Sequence, residues 1–331
     1  MSSLVDAFFD LLSKKTLAES TQENARSLAA PSSKGICTVG MGGSSIVGQI
    51  AIALLRESSP VPLLFVRDYQ LPGFIDDEWV TIAVSYSGNT EETLSAYKDA
   101  DSRGCELFAV TTGGQLEAMS EPKRTHLLPK GVQPRAALPM MLAAVLPLME
   151  CLIGQPSTDF EMLSKRLTSN QQKKEGSTKE PQDLANEIQN HIPAFIGWRH
   201  LSPVAYRAKT QINENAKWPA YSLELPEANH NEIEAIGAYR GQSVFPILLR
   251  SAYENTQTRK RFEATSKILQ QEGIEVESIS FSCESKIEEV IIATQYLDDV
   301  SVRLANIRGV NPEDVPQISL LKAILAGQTE L

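Results

Sequence analysis

Two loops carry residues whose types and spacing suit an anion. The first runs Gly40, Met41, Gly42, Gly43, Ser44 and Ser45, directly after the apolar run Ile36–Val39. Glycines at a strand-to-helix turn let backbone N–H groups approach a ligand, and the helix that follows offers its positive end. The second runs Ser85, Tyr86, Ser87, Gly88, Asn89 and Thr90, ahead of Glu91 and Glu92. Asn89 or Thr90 suits a helix N-cap, with Glu92 close to the capping-box position. Capping accounts for one or two polar side chains. It does not account for three hydroxyls, Ser85, Ser87 and Thr90, at the end of a buried strand, where open α/β sheets bind ligands. A phosphate ester can accept from such hydroxyls and from nearby N–H groups, each charge-assisted bond contributing roughly 1.5–3 kcal/mol. Better-known phosphate fingerprints do not fit: there is no G-x-x-x-x-G-K-[ST], and the sixth position of a G-x-G-x-x-G reading is Ser45. A tight βα turn without a ligand is the plain alternative for the glycine loop.

The elements that must hold these loops follow from the hydrophobic pattern. Strands are expected at Ile36–Val39, Pro62–Val66, Val80–Ser85, Leu107–Thr111 and Thr125–Leu128, with helices over Ile46–Leu55, Glu91–Arg103 and Ala136–Leu152. Strands separated by helices of this length make βαβ units and a parallel sheet covered on both faces. Apolar residues thin out between Gln155 and Pro181, which is linker composition. The alternation then restarts with strands Ala194–Gly197, Ser243–Leu249 and Glu275–Ser280 and helices Pro203–Lys217, Thr256–Gln271 and Lys286–Arg308. The fold class is therefore α/β, with two parallel-sheet subdomains: 1–155, a linker and helix over 156–190, and 191–331. The halves read as degenerate copies of one plan, with the glycines and most serines kept only in the first.

Composition limits the partners. The chain of 331 residues has a formal charge of −10, spread evenly over both halves, so no clustered positive surface points to nucleic acid. An anionic ligand must be held by local donors rather than by the overall field. Cys37, Cys105, Cys151 and Cys283 form no C-x-x-C pair, and His126, His191, His200 and His230 lack zinc-ligand spacing, so a reducing cytoplasm and no metal site are expected. The amino terminus reads as an amphipathic helix and not as a signal peptide, because Asp6 and Asp10 interrupt its apolar positions. The longest apolar run, Ala136–Met149, contains Pro139 and Pro147 and is shorter than the roughly 20 residues of a membrane span. A buried helix is expected there.

VSYSGNTEET with GMGGSS before it resembles the sugar isomerase (SIS) fold. Together with TTGG at Thr111–Gly114, PRAALP at Pro134–Pro139, NENAK at Asn213–Lys217, LPEANHNEI at Leu225–Ile233 and IRGVNP at Ile307–Pro312, the chain looks like the bifunctional phosphoglucose/phosphomannose isomerase family of archaea and some bacteria. The resemblance runs from about Ile36 to Leu325. It implies two SIS-type subdomains, a homodimer with the active site at the subunit interface, and interconversion of glucose 6-phosphate and fructose 6-phosphate, often with mannose 6-phosphate, without metal or cofactor. By the same resemblance Gly43, Ser44, Ser85, Ser87 and Thr90 bind the phosphate, and Arg135 faces the reacting carbons. Glu214 is then the base, His230, from the other subunit, acts in ring opening, and Lys322 assists it.

These types suit the chemistry. A carboxylate can shuttle a proton between C2 and C1 on one face, an arginine fork stabilises an enediolate while staying protonated, and a histidine can pass protons at the ring oxygen. On spacing alone, Glu214, His230 and Lys322 would be ordinary solvated side chains. Three positions depart from the family pattern: Ser45 where glycine is common, which narrows the loop, Asn229 in place of the first of two histidines, and Val315 where bifunctional members tend to have threonine. The last puts mannose 6-phosphate in question. Two other classes remain open: a non-catalytic sugar-phosphate-binding SIS module, which would normally carry a DNA-binding segment, and an amino-sugar phosphate isomerase.

Overall fold

The computed structural model describes residues 5–14, 17, 19–28, 33–172, 179–281 and 283–328. It divides into a first unit, Ser3–Gly176 with Glu284–Val290, and a second, Met1–Ser2, Ser177–Cys283 and Ile291–Leu331. The expected linker residues 173–178 lie outside the described residues.

The first unit runs α1 (Phe8–Ser13), α2 (Glu19–Ser27), β1 (Gly35–Val39), α3 (Gly43–Leu55), β2 (Leu63–Val66), β3 (Trp79–Ser85), α4 (Glu91–Ser102), β4 (Glu106–Thr111), α5 (Gly114–Met119), β5 (Thr125–Leu127), α6 (Leu138–Leu152) and α7 (Phe160–Gln172). Its strands form one sheet in the order β2-β1-β3-β4-β5, every pair parallel. β1 and β3 are buried along their whole length, as central strands covered on both faces must be. Alternate residues Cys37, Val39, Ala83 and Ala109 pack with Leu94, Tyr97 and Ala100 of α4. Burial pushes the Cys37 thiol up to about 12, so it behaves as a core residue and not as a nucleophile.

All residues of α6 are buried, and it packs against α1, α2 and α3. The continuous stretch Pro134–Leu152, 19 residues, is long and apolar enough by composition to cross a membrane, yet it is 94% buried inside the fold. It is the core helix, and a helix apolar all round needs such a place. Within 156–190, expected to be a linker and helix, the structure forms α7. Phe160, Leu163 and Leu167, spaced three and four apart, are buried, and Ser164 Oγ donates to Phe9 O at 2.8 Å.

The second unit contains α8 (Pro181–Ile188), β6 (Ile192–Gly197), α9 (Ser202–Ala216), β7 (Tyr221–Glu224), α10 (Ile236–Tyr239), β8 (Val244–Arg250), α11 (Thr256–Gln271), β9 (Glu277–Ser280), α12 (Lys286–Ile307, from Ile291 on) and α13 (Pro316–Leu325). The sheet order is β7-β6-β8-β9, again parallel throughout. The short, half-exposed β7 has no apolar alternation strong enough to announce it. In both sheets the chain reverses direction across the first strand it lays down, between β1 and β3 and between β6 and β8. That reversal opens a crevice at the carboxyl ends of those strands, the usual ligand position in open α/β sheets.

Candidate active site

Both loops read as anion cradles sit at the β1/β3 reversal. Gly42, with φ of 54°, is the N-cap of α3 and has no side chain with which to satisfy the first-turn N–H groups. Gly40 passes so near β3 that a Cβ there would stand 2.8 Å from Val84 O. Ser44 is buried, its hydroxyl 3.4 Å from Met141 Sδ. Ser45 turns its hydroxyl along the helix to Gln49 Nε2 at 3.2 Å. The Arg135 segment abuts the loop: a Cβ on Gly43 would lie 3.7 Å from Arg135 Cα and from Pro134 O. Arg135 itself is buried, in the 3-10 turn Pro134–Ala137 that opens α6.

In the second loop, Ser85 Oγ accepts from Gly88 N at 3.1 Å and shares a hydrogen bond with Thr90 Oγ1 at 3.0 Å. Thr90 occupies the N-cap of α4 but makes no side-chain cap, because its oxygen is turned to Ser85. Asn89, the other capping candidate, sends its carboxamide oxygen to Gln115 N at 3.1 Å, at the start of α5. Ser87 is exposed and accepts from Asn89 N at 3.2 Å, which leaves its O–H free to donate. The turn is locked from behind: a Cβ on Gly88, φ 67°, would meet Gly113 O at 1.7 Å, so only glycine fits. Two helix N-termini without side-chain caps thus meet at one crevice beside serine and threonine hydroxyls, an arrangement suited to a phosphate dianion. Lys130, from the segment before Arg135, approaches the turn behind this loop, its Nζ lying 3.4 Å from where a Cβ on Gly113 would stand. Nothing in its local sequence signals that approach.

Glu214, His230 and Lys322 belong to the second unit, on three separate elements. Glu214 is half-buried in the last turn of α9, and its neighbours in NENAK hold that turn in place. Asn213 Nδ2 donates to Trp218 O and Asn215 Nδ2 to Ser301 Oγ, both at 2.8 Å. Lys217, in a left-handed C-cap with φ 52°, donates to Glu214 O and Asn311 O, each at 2.8 Å, and to Asn215 O at 3.2 Å. Arg308 donates to Ala216 O and stacks 3.7 Å from the Trp218 ring centroid. NENAK and IRGVNP, far apart in sequence, are thereby one structure. Deeper in α9, Arg207 makes a buried, two-pronged ion pair with Asp298 of α12 at 3.0 and 2.6 Å. The carboxylate is presented from a braced helix end.

His230 is exposed at the end of the 3-10 turn Glu227–His230. Asn229 holds that turn through Thr265 Oγ1 at 2.8 Å and accepts from Arg261 Nη1 at 3.4 Å. Lys322 is exposed on α13, and Val315 is the N-cap of that helix, where it offers no acceptor. The fold gathers Gly43, Ser44, Arg135, Ser85, Ser87 and Thr90 in the first unit.

Comparison with known proteins defines the class first. A tagatose-6-phosphate ketose/aldose isomerase from Escherichia coli shares the fold, with a TM-score of 0.68 at 14% identity over 93% of this chain and 91% of that one. A family model described as the bacterial phospho-glucose isomerase C-terminal SIS domain matches residues 177–325. The bifunctional phosphoglucose/phosphomannose isomerase of Thermoplasma volcanium is 35% identical over 298 residues, 88% of this chain and 91% of that protein. A D-glucosamine-6-phosphate 4-epimerase of Sulfolobus acidocaldarius is 35% identical over 229 residues, 65% of this chain and 68% of its own. The chain belongs to the bifunctional phosphoglucose/phosphomannose isomerase family.

Proposed function

We propose that this protein interconverts glucose 6-phosphate and fructose 6-phosphate through a cis-enediolate, and mannose 6-phosphate through the same intermediate. The observation that carries the reading is the pair of helix N-termini without side-chain caps beside the Ser85–Thr90 hydroxyls, in a chain of this family. Ser44, Ser85, Ser87, Thr90 and the Gly43 N–H hold the phosphate. His230 passes a proton between the anomeric hydroxyl and the ring oxygen, with Lys322 assisting, to open the ring. Glu214 removes the proton from C2 and returns it to C1, and the O2 proton moves to O1. Arg135 stabilises the enediolate charge formed between the two steps. No step calls for a metal.

We also infer a homodimer in which His230 serves the other subunit's site. Support comes from α13, apolar yet without a buried residue in its own chain, with Leu325 70% exposed. The buried free thiols Cys37, Cys105 and Cys151 agree with a reducing compartment, the cytoplasm. Amino-sugar phosphates are the second reading, favoured by the relatedness to a glucosamine-6-phosphate epimerase.

The test is a coupled assay with glucose, mannose and glucosamine 6-phosphates in the presence of EDTA. Turnover of glucose 6-phosphate is expected, with a loss of about 10³-fold in Glu214→Gln, within the range for a positioned base. Full activity in that variant would remove Glu214 as the base. Binding without turnover would instead mark a sugar-phosphate sensor.

A further inference from the structure

We propose that Tyr86 is a positioning residue that ties the phosphate-binding loop to the segment carrying Arg135; the inference rests on the isomerase reading above. Tyr86 stands between Ser85 and Ser87, yet it is buried, and its ring leaves the loop altogether. Its hydroxyl donates to Pro129 O at 2.9 Å and accepts from Val132 N at 3.2 Å, so both of its capacities are used on one short segment. Its carbonyl accepts from Thr112 N at 3.1 Å and from Thr112 Oγ1 at 2.7 Å. From Val132 the chain passes directly into the turn of Arg135, where Ala136 N and Ala137 N donate to Gln133 O at 2.9 and 3.1 Å. Segment 129–133 has no regular secondary structure, and Gly131 in it has φ of 97°. The phenol makes two hydrogen bonds that hold that segment in register with the loop.

The consequence is mechanical. Phosphate anchored at Ser87 and Thr90 fixes one end of the substrate, while Arg135 must meet the other end, at the reacting carbons. Rigid spacing between the two converts phosphate binding energy into alignment at C1 and C2, which raises kcat without tightening ground-state binding. A phenylalanine keeps the ring but leaves the Pro129 carbonyl and the Val132 N–H without their partner.

The experiment compares Tyr86→Phe with the native chain in steady-state isomerisation of fructose 6-phosphate. The expected result is a fall in kcat of about tenfold, with KM and the inhibition constant of inorganic phosphate unchanged. Adding Tyr86→Phe to Arg135→Ala should cost nothing further, because the two act through one interaction. Hydrogen exchange across residues 129–137 should rise in Tyr86→Phe. A native kcat, a full additional loss in the Arg135→Ala background, weaker phosphate inhibition in proportion to kcat, or unchanged exchange would each overturn the proposal. Thr112→Val, which removes one of the two bonds to the Tyr86 carbonyl, serves if Tyr86→Phe does not fold. The same pattern at about threefold is expected there, and native behaviour again overturns it. A native chain without isomerase activity, in which Tyr86→Phe still loosens 129–137, would refute the isomerase reading and not the tie.

Discussion

The two crevices, one per sheet, follow the same plan and end differently. At the β1/β3 reversal the strands lead into small residues, both helix N-termini lack side-chain caps, and Ser87 is exposed. At the β6/β8 reversal the chain fills its own crevice. His200, 1% exposed, lies between the rings of Trp198 and Tyr253, with Nε2 3.4 Å from Ser251 Oγ. Arg250 pairs with Glu254 at 2.7 and 2.6 Å, Glu254 also accepts from Ser251 N, and Asn255 caps α11 through Thr258 N at 2.8 Å, although α9 starts without a side-chain cap. Sheet order and reversal depend on apolar strands and helical crossovers, which tolerate wide sequence change. Ligand capacity depends on a few loop residues that either leave donors open or satisfy them internally. The first unit therefore has the means to hold an anion, and the second has spent its crevice on stability while presenting Glu214 from a helix end.

The largest effect should come from breaking the brace in the second unit. Asp298→Ala removes the carboxylate that pairs with the buried Arg207 guanidinium and should destabilise that unit by about 3–5 kcal/mol in urea unfolding. Trp198 and Trp218 report on the second unit and Trp79 on the first, so an equal shift at Trp79 would show that the units do not unfold separately. The contrast between crevices is sharpened by hydroxyl deletions. Ser87→Ala and Thr90→Val should each raise KM for the sugar phosphate about tenfold, equivalent to roughly 1.4 kcal/mol, whereas Ser251→Ala should leave KM unchanged. A raised KM in Ser251→Ala would mean that the second crevice also holds substrate.

Smaller still is Val315→Thr, which provides an acceptor at the N-cap of α13. About 1 kcal/mol of added stability is expected, with turnover of mannose 6-phosphate rising relative to glucose 6-phosphate. An unchanged substrate ratio would detach this position from epimer handling. The smallest effect is a pH slope in the first unit. Burial raises the pKa of Glu150, although Thr158 N and Oγ1, each at 2.6 Å, pull it back down. The native state thus holds this proton more tightly than the unfolded chain does. Its contribution to stability is present below the ordinary glutamate value and is lost as pH rises through the raised one. Melting temperatures from pH 4 to pH 8, with the slope flattened in Glu150→Gln, check the sign.

Much of this was legible beforehand. The expected strands of both sheets are present, because strands covered on both faces read as short apolar runs wherever they occur. Gly88 and Gly113 could be seen as turn residues, yet their mutual contact could not, since it joins loops 25 positions apart in the chain. Residue type points to Asn89 or Thr90 as the N-cap, and Thr90 does occupy it; the direction of its hydroxyl is set by Ser85 beneath it. Helix α7 is hard to see in the sequence because its three core residues lie among polar ones, and the helix α1 that they pack against lies far away in the chain.

By itself, the sequence determined the α/β class, the two parallel sheets and the two loops that could face an anion. Those follow from local periodicity and from the backbone freedom of glycine. The tertiary structure alone decided which donors stay open, which crevice is filled by His200 and Tyr253, and that Tyr86 reaches Val132. Those outcomes depend on space and hydrogen-bond partners supplied from distant parts of the chain, and no local pattern encodes them.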